Sequence, residues 1–153
     1  MKKQFEDDFM EIQAELISLC LEVTQDKVDR IYAYASIEKK STMFNAFFEK
    51  NGRILTVNEL NIDKSVAIEF LKIGTLTLEK IKKLCEYNEI CAPKEIKMYY
   101  DVNFRKYYAF YEYSKSCLDN SKMSSGEAFL NWYNEIKVNI GKDSKGSDTF
   151  KRL

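Results

Sequence analysis

The residues best suited to chemistry in this chain are acidic. Asp7, Asp8, Glu11 and Glu15 crowd one short stretch near the N-terminus. Paired carboxylates of this kind can hold Mg²⁺ or move protons. Such sites need a desolvated cleft and ligands from several elements. These acids instead fall on the polar side of one amphipathic pattern, which reads as a solvated helix face. A second group, Asp101 and Glu112 with Tyr99 and Tyr108, contains the parts of a small hydrolytic site, but no spacing singles them out. Histidine is absent. That removes Ser–His and Cys–His nucleophile pairs, His metal ligands and the usual neutral-pH base. Cys20, Cys85, Cys91 and Cys117 form no Cys-x-x-Cys and have no second ligand cluster, so zinc is not expected. No strand-to-helix turn is Gly-rich, so there is no phosphate-binding fingerprint. The expectation is a protein that is not an enzyme, with no catalytic residue, no metal and no cofactor.

The other conspicuous stretch is "MYYDVNFRKYYAFYEY", Met98 to Tyr113. Alternate side chains of a strand face opposite sides, so aromatics this dense must populate both faces. One face belongs to a core. The other needs a helix, a loop or a second protein to cover it. Alternation places Met98, Tyr100, Tyr107, Ala109 and Tyr111 inward and Tyr99, Tyr108, Phe110 and Glu112 outward. Exposed aromatics on a sheet can stack bases. Lys94, Lys97, Arg105, Lys106 and Lys115 supply some positive charge, but the RNA-recognition consensus is missing. A nucleic-acid or regulatory binding module is therefore the alternative, not the leading reading. Tyr is also favoured at protein–protein interfaces, where its body is buried and its tip stays polar.

The elements that must position these residues follow from periodicity. Phe5, Phe9, Ile12, Leu16, Leu19, Cys20 and Val23 recur at steps of three and four, which predicts a helix ending by Thr24–Lys27. "VDRIYAYASIE" and "TMFNAFFEK" alternate as strands around a polar turn at Lys39, Lys40 and Ser41. Asn51-Gly52 marks a two-residue hairpin, and "RILTVNEL" is expected as the third strand. Asp63 is placed to cap a helix from Lys64 to about Tyr87. Gly74 is a weak point there, a kink or a break. Cys91-Ala92-Pro93 stops it. "KEIKMYYDV" and "KYYAFYEYS" are two more strands. Ser124 and Glu127 have capping-box spacing ahead of a helix whose apolar face is Phe129, Trp132, Tyr133 and Ile136. The order α-β-β-β-α-β-β-α predicts a single α+β domain over residues 1–140, with an antiparallel sheet packed by helices. Residues 141–153 are Gly-, Ser- and Lys-rich, and a disordered polar tail is expected.

The 153 residues suit one domain with a real core. They are 45% hydrophobic and 31% charged, with 24 acidic and 24 basic residues. A net charge of zero gives no global pull toward nucleic acid or an anionic membrane. No apolar run approaches a membrane span, and the start lacks the apolar stretch of a secretory signal. Reduced cysteines in a cytoplasmic protein are the simplest reading.

The residues then carry a resemblance. The chain resembles the YezG-type immunity proteins, the antitoxins of nuclease toxins exported by type VII secretion in Gram-positive bacteria. That family shows a Trp-acid-Lys-Val-Tyr-x-Tyr-Ala run. Asp29, Arg30, Ile31, Tyr32, Tyr34 and Ala35 fit it, and Val28 replaces the Trp. Pro93, Tyr100, Asp101, Tyr111 and Tyr113 fit a Pro, Tyr-Asp, turn, Tyr-x-Tyr pattern; Phe129, Trp132 and Glu135 fit the last helix. The similarity runs in order from about Glu6 to Ile136. Where many relatives carry acids on the fifth strand, this chain has Tyr108 and Phe110, which implies a different partner or more apolar contact. The resemblance implies a cytoplasmic immunity protein that neutralises a cognate toxin by stoichiometric binding. The partner would be a toxin protein, with no nucleic acid and no membrane, and a homo-oligomer is open. The partner-binding candidates are Tyr99, Tyr108, Phe110 and Glu112 on the hairpin and Asp7, Asp8, Glu11 and Glu15 on the first helix.

Overall fold

A computed structural model describes residues 2–38, 40–113 and 125–142 of the 153. It is an α+β fold. The order is α1 (Lys2–Thr24), β1 (Arg30–Ile37), β2 (Thr42–Lys50), β3 (Arg53–Thr56), a 3₁₀ turn (Val57–Glu59), α2 (Lys64–Tyr87), β4 (Glu95–Asp101), β5 (Lys106–Glu112) and α3 (Ser125–Lys142). The strands form one antiparallel sheet in the order β3-β2-β1-β4-β5. The central β1 is buried along nearly its whole length.

Residue alternation splits this sheet into two apolar faces. Ile31, Ala33 and Ala35 of β1, Phe44, Ala46 and Phe48 of β2 and Ile96 and Met98 of β4 face α1 and α2, meeting Leu16, Cys20, Leu78 and Ile81. Tyr32, Tyr34, Phe47 and Tyr99 face the other way, into a second core closed by Phe129, Trp132 and Ile136 of α3. The layers are therefore helix pair, sheet, helix. Phe47 anchors the second core, with its ring centroid 5.0 Å from that of Trp132 and 5.7 Å from that of Phe129, both edge-on. Each fully buried aromatic of this kind contributes about 1.5–3 kcal/mol by leaving water, which holds α3 down.

Local sequence chemistry explains most boundaries. Asn51 and Gly52 take φ of 52° and 79°, as a tight hairpin joining twisted strands requires. At the end of the β1–β2 turn, Glu38 donates its N–H to the Ser41 carbonyl at 2.8 Å. Asp63 is the N-cap of α2 by position, but its backbone carbonyl receives Val66 and Ala67 while its side chain makes no capping bond.

Several expectations need correction. The third strand stops at Thr56 instead of running to Leu60. Glu59 accepts hydrogen bonds from the Thr56 N–H at 2.8 Å and hydroxyl at 3.1 Å, and this closes a turn in place of strand pairing. Gly74 does not break α2, which runs unbroken from Lys64 to Tyr87. The glycine is there for space: a Cβ at that position would overlap the ring of Phe44. The last helix continues through Gly141 and Lys142 into the segment expected to be a tail. The remainder of that segment, residues 143–153, lies outside the described residues, as do Ser124 of the expected capping box, Lys115, Cys117 and the turn residue Lys39.

Candidate functional site

The β4–β5 hairpin is built by register. Asp101 pairs with Lys106, Tyr99 with Tyr108, Lys97 with Phe110 and Glu95 with Glu112 on the face toward α3. Met98, Tyr100, Tyr107 and Ala109 pack against the core on the opposite face. The in/out phase expected from alternation is thus the phase observed.

The availability of the outward residues differs from expectation. Tyr108 is 39% and Phe110 44% exposed, and Glu112 is exposed. Tyr99 is 2% exposed and belongs to the second core. It therefore cannot serve as a free contact residue. The reason is where α3 docks: among the described residues, Phe129, Trp132 and Ile136 pack on Tyr32 and Tyr34 of β1, Phe47 of β2 and Tyr99 of β4, and no residue of β5 belongs to that core. Tyr32, Tyr34 and Phe47 are covered with it, so those rings present no base-stacking face. The ring of Tyr108 meets Tyr99 edge-on at 6.2 Å, which props the exposed ring on the buried one.

The acids of α1 lie elsewhere. Asp7, Glu11 and Glu15 are exposed and Asp8 half-buried, on a helix packed against the other side of the sheet. Glu15 is tied to Lys80 of α2 at 2.8 Å, and Asp8 accepts from Gln4 at 2.8 Å. The fold therefore does not join the acidic group to Tyr108, Phe110 and Glu112. It also separates Asp101 from Glu112, which sit at opposite ends of the β4–β5 ladder, so the hydrolytic grouping is not assembled. Among the described residues, no cluster of three or more His, Cys, Asp or Glu is placed to hold a metal ion, and no helix is long and apolar enough to cross a membrane.

Two polar constellations were not anticipated. At one end of the sheet Arg30 donates to Glu49 at 2.9 Å and lies 3.7 Å from Asp101. Burial works against the guanidinium charge, but the hydrogen bond and charge of Glu49 outweigh it and hold the group above its ordinary pKa. Asp29, next in sequence, accepts from the Asn51 N–H at 2.9 Å and from the Asn103 side chain at 3.3 Å, tying two turns together. Between α1 and the hairpin, the fully buried Gln13 accepts hydrogen bonds from the hydroxyls of Tyr107 and Tyr111. Burial raises the pKa of Tyr107, Tyr32, Tyr34 and Tyr99. A signal for Gln13 existed: it sits four residues after Phe9, inside the apolar stripe of α1.

Neither a protein-family model nor a curated protein matches the chain. The candidate surface is thus defined by geometry alone: an exposed aromatic pair and an adjacent carboxylate on β5, next to a helix-covered sheet.

Proposed function

We propose that this protein is an immunity protein. It binds a cognate secreted nuclease toxin of the type VII or LXG kind in the cytoplasm of the producing cell and neutralises it stoichiometrically. The sequence resemblance supplies the family. The supporting observation is the β5 surface, where Tyr108 and Phe110 stand half-exposed beside Glu112 while the other outward aromatics are buried. Rigid aromatic bodies with polar tips suit protein contact. Nuclease domains are basic because they bind phosphates; Glu112 and the separate acids Asp7 and Glu11 would steer such a partner.

The test is affinity capture of the tagged chain from its native host, with neighbouring genes co-expressed. A toxin-like nuclease recovered in equimolar complex, and inhibited by the purified protein, is the expected result. Recovery of no such partner overturns the reading. A salt-sensitive complex with single-stranded RNA or DNA, lost on Tyr108→Ala, would favour the nucleic-acid alternative instead.

A further inference from the structure

The sheet has two edges of different character. β3 is four residues long and runs into the 3₁₀ turn, a short edge that offers a second chain little. β5 is seven residues long, contains no proline and, among the described residues, has no strand beyond it.

The backbone phase of β5 follows from its neighbours. Ile37 donates to the Lys94 carbonyl and Val102 to the Asp29 carbonyl, so the even-numbered residues of β4 bond to β1. Backbone groups of successive strand residues point to opposite sides. The odd-numbered residues of β4 therefore bond to Lys106, Tyr108, Phe110 and Glu112. That leaves Tyr107, Ala109 and Tyr111 with N–H and C=O directed to the open edge.

These residues are symmetric about Ala109, and so is the chemistry around them. "KYYAFYE" laid antiparallel on itself sets Lys106 against Glu112, Tyr107 against Tyr111, Tyr108 against Phe110, and Ala109 against Ala109. Lys106 and Glu112 make no ion pair among the described residues. Glu112 moreover stands opposite Glu95 in the ladder, a like-charged cross-strand pair in which Lys97 lies 4.0 Å from Glu95 and Tyr34 donates to it, while Glu112 has no cation paired with it among the described residues. A lysine arriving from the open side would relieve it.

We infer that β5 is a homodimerisation edge, on which the β5 strand of a second copy of this chain pairs antiparallel about a two-fold axis at Ala109. Ala109 exchanges both backbone hydrogen bonds with the partner's Ala109, and Tyr107 does the same with the partner's Tyr111. Glu112 meets the partner's Lys106 at each end of the seam. The interface is isologous, as closed two-fold assembly requires. The two sheets become one. Pairing in the sheet plane leaves the rings of Tyr108 and Phe110 facing outward, so the dimer sets two aromatic pairs side by side. The inference does not depend on the toxin reading.

Sedimentation of the full chain from about 1 to about 100 µM tests it. The expected result is a concentration-dependent species of twice 18.0 kDa. Lys106→Glu or Glu112→Lys alone should weaken the dimer roughly tenfold, because each reversal places like charges at both ends of the seam. Lys106→Glu combined with Glu112→Lys should restore it. Ala109→Pro should give a monomer with unchanged circular dichroism, because the lost N–H serves only the open edge; if that variant does not fold, the charge reversals decide. A wild-type chain that is monomeric throughout, including one whose β5 amides gain hydrogen-exchange protection only from a foreign partner, overturns the inference. A dimer indifferent to the single reversals, or not restored by the double reversal, overturns it too.

Discussion

The side-chain oxygen of Gln13 accepts a hydrogen bond from the Tyr111 hydroxyl at 2.9 Å, joining α1 to the outermost strand. The same oxygen receives Tyr107. One carboxamide thus satisfies hydroxyls from two positions of β5 and fixes how α1 crosses the hairpin. Gln13→Leu keeps the volume and removes the acceptor. Leaving buried donors unpaired costs about 1–3 kcal/mol. The midpoint of urea unfolding should fall accordingly, with the denaturant slope unchanged.

Gly74 should resist substitution despite lying inside a helix. On an exposed helix, Gly→Ala stabilises by about 1 kcal/mol. Here the methyl would run into the Phe44 ring, and overpacking of that kind costs about 1–3 kcal/mol. Gly74→Ala should therefore destabilise. Phe44→Leu in the same chain should recover part of the loss, measured as a non-additive double-mutant cycle.

Alkaline pH should unfold the protein. Burial holds Tyr32, Tyr34, Tyr99 and Tyr107 above the ordinary tyrosine value in the folded state. A raised pKa in the fold means that the protonated form is the one favoured there. The stability it contributes is present below about pH 10, the unfolded tyrosine pKa, and is lost as pH rises past it. Thermal midpoints should decline from about pH 10 upward. The part of the tyrosinate absorbance that comes from these four buried rings should appear together with unfolding, not before it.

Thiol reactivity should follow burial. Cys20 is fully buried in the first core, and desolvation pushes its pKa well above the ordinary thiol value; Cys85 is buried and shifted the same way. Cys91 is exposed. In the native protein, iodoacetamide should label Cys91 while Cys20 and Cys85 react only after denaturation. Peptide mapping by mass spectrometry distinguishes the sites.

The hairpin tyrosines should separate into two classes. Tyr99→Ala opens the second core and should cost about 3–5 kcal/mol, as for other large aromatic truncations. Phe110→Ala lies on the exposed face and should change stability by about 0.5 kcal/mol or less. If β5 contacts the toxin, Phe110→Ala should instead weaken that complex about tenfold, a loss of more than about 1 kcal/mol. Calorimetric titration with the captured toxin domain measures it.

Much of the architecture was legible in the chain because it is written in short-range periodicity. The stripe from Phe5 to Val23 marked α1, alternation marked β1, β2, β4 and β5, and Asn51-Gly52 marked a hairpin. Even the phase of the 98–113 hairpin followed from alternation. The 3₁₀ turn after β3 was also encoded, in the Thr56-to-Glu59 spacing, but a strand-like run of apolar residues masked it.

What the sequence by itself determined is which residues are aromatic, where each element begins, and that Tyr99, Tyr108, Phe110 and Glu112 share one face of a hairpin. Which of them remain accessible was decided by tertiary packing. Alternation specifies a side of a sheet, not what lies over it. The placement of α3 depends on Phe129, Trp132 and Ile136 finding Tyr32, Tyr34 and Phe47, contacts separated by most of the chain. That docking buried Tyr99, while Tyr108 and Phe110 of β5 stay outside that core, 39% and 44% exposed. The acids of α1 lie on the far side of the sheet from α3, because the apolar stripe of α1 packs with α2 against that other face.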